Sequence, residues 1–329
     1  MATQQIHQPI HPSMIPRLDP EYIEFHNTSL AQLVPPHTLP WSPKLRDVPA
    51  VPGCSDPLPV GATEDIDLTH TKFRAFTPEG AAPPDGWPCF IFFHGGGWTF
   101  GSINAENSFA TNMCTRAKCV VLSVDYRLAP EHKYPTAVED AIESLDWVIK
   151  NGKSKLNIDT TRIAVGGSSR HVVFQSRPSL DLSASPPIPL VFLLLIVPVT
   201  DNTASVENLW AENALTPWLS PARMLWFRDN YLPNKEDHTK WDASPSFAPD
   251  ALLAKVPKTW IAVCECDILR DEGIAFGKKL TALGVEAEVE VYKGAPHPIM
   301  AMDAIRVLKI GAKMVSDASV ALGKALGTV

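Results

Sequence analysis

Residues 87–98 read WPCFIFFHGGGW. The run from Trp87 to Phe93 lacks the polar alternation of a half-exposed strand, so it predicts a strand covered on both faces. His94 and then three glycines follow, and a glycine loop at the end of such a strand lets backbone N–H groups reach a cavity with no side chain between. That arrangement suits a negative charge developing on oxygen. A plain tight turn is the competing reading of the same glycines. A phosphate loop is disfavoured, because neither G-K-[ST] nor G-x-G-x-x-G follows.

Working outward, the chain alternates strand and helix signals. DIDLTHTKFRAFTP (65–78) predicts two short strands, and KCVVLSVDYRLAP (118–130) a second buried one. TAVEDAIESLDWVIKN (136–151) places Ala137, Ala141, Leu145 and Val148 at helical spacing. RIAVGGSSRHVV (162–173) runs from a strand into a turn that presents a serine, and PLVFLLLIVPV, KTWIAVCECD and VEAEVEVYKG supply three further strands. Helices are expected at ILRDEGIAFGKKLTALG (268–284) and across 304–326. This order predicts a mainly parallel sheet covered on both faces.

Two segments lie outside the alternation. The proline-rich first 50 residues contain one amphipathic stretch, DPEYIEFHNTSLAQLV, with Asp19 as the expected N-cap ahead of Pro20. About 50 residues between Val199 and Lys258 carry Trp210, Trp218, Trp226 and Trp241, and read as a cover over a substrate site.

Composition narrows the partners. The net charge of -7, with no run of Lys or Arg, argues against nucleic acid and anionic membranes and favours a small molecule. The apolar run from Ile188 to Val199 is too short to span a bilayer, so no stable membrane insertion is expected. The N-terminus does not read as a secretory signal, which predicts a cytoplasmic protein. The six cysteines stand in apolar contexts and are expected to be buried thiols rather than disulfides. No Cys/His spacing suggests a metal, and no cofactor is expected.

Five stretches in order, HGGGW (94–98), VDYRLAPEHKYPTAVED (124–140), AVGGSS (164–169), CDILRDEG (266–273) and GAPHPIM (294–300), resemble the hormone-sensitive-lipase-like family of α/β-hydrolases, which includes microbial and fungal carboxylesterases. The resemblance runs from about residue 64 to the C-terminus. It implies an α/β-hydrolase fold: an eight-stranded, mainly parallel sheet with helices on both faces and a helical cap. The implied organisation is an N-terminal arm (1–50) contributing to the cap, a first part of the core (51–200), a cap insertion (201–255) and a second part of the core (256–329).

The resemblance also implies a Ser, Asp, His triad in that chain order, and the residues supply it. Ser169 sits two positions after Gly167 at the strand-to-helix turn, a register that Ser168 fails. Asp267 follows an apolar strand, so its carboxylate emerges at the carboxyl edge of the sheet. His297 follows in a loop between Pro296 and Pro298. Asp271 and Glu272 are expected to complement a helix N-terminus. The oxyanion donors are expected from the backbone of Gly95, Gly96 and Arg170. Trp98 reads as a wall of the acyl or alcohol pocket, with core packing the competing reading. Asp125, Tyr126, Arg127 and Glu131 are expected to brace the glycine loop.

One stretch departs from the family. After the nucleophile the family has small residues, where this chain has Arg170-His171-Val172-Val173 and a poor helix former through about residue 185. Strand and helix approach closely at such a turn, so His171 is expected to impair it. The expected function is a serine carboxylesterase acting on short- to medium-chain, uncharged esters, with reduced activity. The alternatives are a weak or inactive member that binds a small hydrophobic ligand, and a formamidase or amidase on the same fold. A homodimer is left open.

Overall fold

A computed structural model describes residues 5–47, 53–169, 190–297, 299–302 and 308–329. Eight strands form one sheet: β1 (Ala62–Asp67), β2 (Lys72–Thr77), β3 (Trp87–Phe93), β4 (Val120–Val124), β5 (Ile158–Ser168), β6 (Leu190–Ile196), β7 (Lys258–Cys266) and β8 (Ala287–Pro296). Their spatial order is β1-β2-β4-β3-β5-β6-β7-β8. β2 pairs antiparallel with β1 and β4, and every other pairing is parallel. The helices are α1 (Pro20–Phe25), α2 (Asn107–Arg116), α3 (Thr136–Leu156), α4 (Pro221–Tyr231), α5 (Asp250–Leu253), α6 (Arg270–Ala282) and α7 (Lys309–Leu326).

Side chains alternate across a strand, and the two cores record it. Cys89, Ile91 and Phe93 of β3 join Leu145 and Val148 of α3 and Phe276 and Leu280 of α6 on one face. Phe90 and Phe92 join Phe109 and Met113 of α2 and Met314 and Leu322 of α7 on the other. β3 is buried along its whole length, as its unbroken apolar sequence requires. Five cysteines are buried with free thiols, whereas Cys54 is exposed, against the expectation that all six are interior.

The N-terminal arm docks through specific contacts. Asp19 caps α1 by accepting from the backbone N–H of Glu21 and Tyr22. Trp41 packs on Phe100 and on Trp226 of α4. Arg46 donates to the carbonyls of Thr99 and Ala129 and pairs with Glu131 at 2.6 Å, tying the arm to the loops after β3 and β4. No described helix is long and apolar enough to cross a membrane.

Candidate active site

The catalytic serine candidate stands where β5 ends. Ser169 has φ +54°, a left-handed conformation that costs a non-glycine residue about 1–3 kcal/mol and persists only where its surroundings enforce it. The enforcing contact is its own N–H, which donates to the Ile196 carbonyl at the end of β6 (2.8 Å). The neighbouring strand is packed tightly: a Cβ on Gly166 would overlap the Leu194 carbonyl oxygen.

Three loops at the carboxyl ends of β5, β7 and β8 bring Ser169, Asp267 and His297 together. Ser169 Oγ lies 2.7 Å from His297 Nε2, and His297 Nδ1 lies 2.8 Å from Asp267 Oδ2. Asp267 is fully buried, and its second oxygen accepts the Leu269 N–H at 3.1 Å. A carboxylate on Nδ1 keeps a proton there and leaves Nε2 as the acceptor for the serine hydroxyl. Ser168 points elsewhere and donates to Glu106 at 3.3 Å, so the structure brings together the serine favoured by register.

A cavity of about 330 Å³ opens on this cluster. Ser169 and His297 line it together with Gly95, Gly96 and Gly97, and with Arg223 and Phe227 of α4. The glycines do not all serve alike. Gly95 donates its N–H to the Glu106 carboxylate at 3.1 Å, so this donor is already spent, which corrects the expectation that it faces an oxyanion. Gly96 (φ +116°) and Gly97 (φ +57°) make no N–H hydrogen bond among the described residues, and both sit where a Cβ would collide, with the Phe100 carbonyl and the Phe227 ring respectively. The glycine run was legible in sequence; which of its N–H groups remain available was not. Arg170 and His171 lie outside the described residues.

Trp98 does not line the cavity. It is 2 % exposed and stacks on Tyr231 with ring centroids 4.7 Å apart, so the core-packing reading replaces the pocket reading. The four residues expected to brace the glycine loop are wired differently from that expectation. Tyr126 donates to the His94 carbonyl at 3.0 Å, Arg127 grips the buried Asp140 at 2.6 and 2.9 Å, and Glu131 reaches out to Arg46. Asp125 pairs with Lys72 at 3.6 Å, and burial raises its carboxyl above the usual value.

Of the two acids opening α6, Asp271 pairs with Arg270 at 2.7 Å. Glu272 is interior: it accepts from Thr200 N, Asp201 N and Trp210 Nε1, fixing the loop after β6, and burial pushes its carboxyl up to about 8. Among the described residues no cluster of His, Cys, Asp or Glu is arranged to hold a metal.

Known proteins share this fold. The family model for the alpha/beta hydrolase fold matches residues 90–301. The chain is a member of the hormone-sensitive-lipase-like α/β-hydrolases. Among relatives of this α/β-hydrolase, an AB hydrolase superfamily protein of Schizosaccharomyces pombe is 45% identical over 95% of this chain and 96% of that protein. Carboxylesterase NlhH of Mycobacterium tuberculosis is 36% identical over 68% and 69% of the two chains. The crystal structure of carboxyl esterase 2 from the mycorrhizal fungus Tuber melanosporum superposes with a TM-score of 0.82 at 26% identity, covering 94% of this α/β-hydrolase and 100% of that chain.

Proposed function

We propose that the protein is a serine carboxylesterase acting on short- to medium-chain esters through an acyl-enzyme. The observation that carries the reading is the unbroken hydrogen-bonded series Ser169, His297, Asp267 at 2.7 and 2.8 Å, opening on a cavity. Its relatives and structural neighbours named as esterases support the reaction class.

In the first step Ser169 Oγ bonds to the ester carbonyl carbon while its proton passes to His297 Nε2, and the carbonyl π pair moves onto oxygen. The buried Asp267 carboxylate orients the imidazole and stabilises its positive charge. The N–H groups of Gly96 and Gly97 are the oxyanion donors, with Gly95 serving through its tie to Glu106 rather than directly. Collapse breaks the carbon–alkoxy bond, and the departing oxygen takes the proton from His297. Water then repeats the sequence on the acyl-enzyme and releases the acid. No metal or cofactor enters these steps.

The N-terminal arm and residues 201–255 act in this reading as the cap, since Arg46 of the one and Arg223 and Phe227 of the other line the cavity. A cavity of about 330 Å³ is at the small end of ligand sites, which disfavours long triglycerides.

The test is turnover of p-nitrophenyl butyrate by the purified chain and by Ser169→Ala. Release of p-nitrophenol by the first and its loss in the second are expected. Equal rates in the two, or a preference for a phosphoester or peptide, would contradict the proposal.

A further inference from the structure

The cavity is lined by a cation that has no ion-pair partner among the described residues. Arg223, in the first turn of α4, is 4 % exposed and lines the same cavity as Ser169 and His297. Its guanidinium lies between aromatic faces, 4.5 Å from the Trp218 ring and 5.9 Å from Phe227. The only hydrogen bond of that guanidinium among the described residues runs to the Trp218 carbonyl at 3.3 Å, although the group carries five N–H donors. No ion pair to it exists among the described residues.

The neighbours that could supply a counter-charge do not. Glu106 shares the cavity but faces Gly95 and Ser168. Asp47 lies at the exposed rim. His37 beside it is an imidazole and carries no negative charge, its pKa held below the ordinary value by burial and by the charge of Arg223 itself. Burial lowers Arg223 to about 10, which leaves it a cation at neutral pH. The other arginine on the wall, Arg46, is committed to Glu131 and two carbonyls.

A desolvated guanidinium with spare donors, in the wall of the cavity that holds Ser169 and His297, is matched by a planar anion that it can grip with two parallel hydrogen bonds. We infer that Arg223 is a specificity-determining residue that binds a carboxylate carried by the ester, so that the preferred substrates are acidic esters rather than neutral ones. This rests on the esterase reading above and departs from the expectation of uncharged substrates, which came from an apolar, tryptophan-rich cap segment with no cluster of cations. One buried arginine, contributed by a helix far from the motifs, suffices.

The experiment compares matched esters differing only in a carboxylate. Monoethyl glutarate against ethyl pentanoate places it on the acyl half, and butyryloxyacetate against ethyl butyrate places it on the alcohol half; acid release is followed by pH-stat titration. The wild type should favour at least one acidic ester by kcat/KM. In Arg223→Gln that acidic-to-neutral ratio should fall about tenfold or more, mainly through KM, the size expected for a charge-assisted pair. Arg223→Lys should keep part of it, and thermal unfolding of each variant controls for folding. A parallel calorimetric titration of Ser169→Ala with the same esters reads binding without turnover. Tighter binding of the acidic ester there, with no hydrolysis by the wild type, would sustain the role of Arg223 and refute the esterase reading. Hydrolysis or binding with no acidic preference, or a preference that survives Arg223→Gln, would overturn the inference.

Discussion

Glu106 accepts the backbone N–H of Gly95 at 3.1 Å, and the same carboxylate accepts the hydroxyl of Ser168, the residue just before Ser169. One side chain thus ties the glycine loop to the nucleophile turn, setting the distance between the two halves of the reaction centre. Positioning errors of about 1 Å can cost on the order of 10²-fold in rate. Glu106→Ala is therefore expected to lower kcat for p-nitrophenyl butyrate about tenfold with KM little changed, and Glu106→Gln, which keeps an acceptor oxygen, to recover most of it. A change confined to KM would contradict this role.

Asp267 and Asp271 are four residues apart, yet only Asp267 reaches His297; Asp271 is paired with Arg270. Asp267→Asn should cost about 10³-fold or more in kcat, and Asp271→Asn less than about threefold. The losses in Ser169→Ala, His297→Ala and Asp267→Asn should be far from additive, because the three act as one unit. Steady-state kinetics of the single and double variants check both points, and equal losses at the two aspartates would overturn the assignment.

The limits of the sequence can be seen in the same residues. Ser169, Asp267 and His297 were named because the resemblance implies a triad in that chain order and each follows a predicted strand, and strand ends converge in a parallel sheet. Gly95 was misassigned because a glycine run does not reveal which N–H groups are spent internally. Its acceptor, Glu106, stands eleven residues on in a loop with no motif of its own. Trp98 sits beside the glycines in sequence, but its left-handed backbone (φ +59°) accompanies a ring stacked on Tyr231 rather than facing the cavity. Arg223 escaped notice because a single arginine in a tryptophan-rich segment reads as surface until its burial is known.

Glu272 makes stability depend on pH. Its carboxyl is raised from the ordinary 4.5 to about 8, so between those values the folded state holds a proton that the unfolded state has released. Stability from this group is fully present below about pH 4.5 and declines as pH rises through about 8. Glu272→Gln should flatten that decline, giving the variant its greatest relative gain in melting temperature near pH 8–9. Parallel melting curves with pH would contradict the assignment.

The nucleophile turn offers a direct repair experiment. The strand leading into it has no room for a Cβ at Gly166, and inserting bulk into packed sites typically costs about 1–3 kcal/mol or displaces backbone. A histidine two residues after the nucleophile is expected to hold activity down. Arg170→Ala combined with His171→Gly should raise kcat/KM for p-nitrophenyl butyrate about tenfold. If the unaltered chain already turns over at about 10 s⁻¹, the steric argument is wrong.

The nucleophile itself can be observed. A fluorophosphonate that reacts with an activated serine should add one phosphonyl group per chain, losing fluoride and mapping by mass spectrometry to Ser169, with the adduct absent in Ser169→Ala and strongly slowed in His297→Ala. Labelling of Ser168 instead, or of neither serine in the folded wild-type protein, would contradict the account that Ser169, poised 2.7 Å from His297, performs the chemistry.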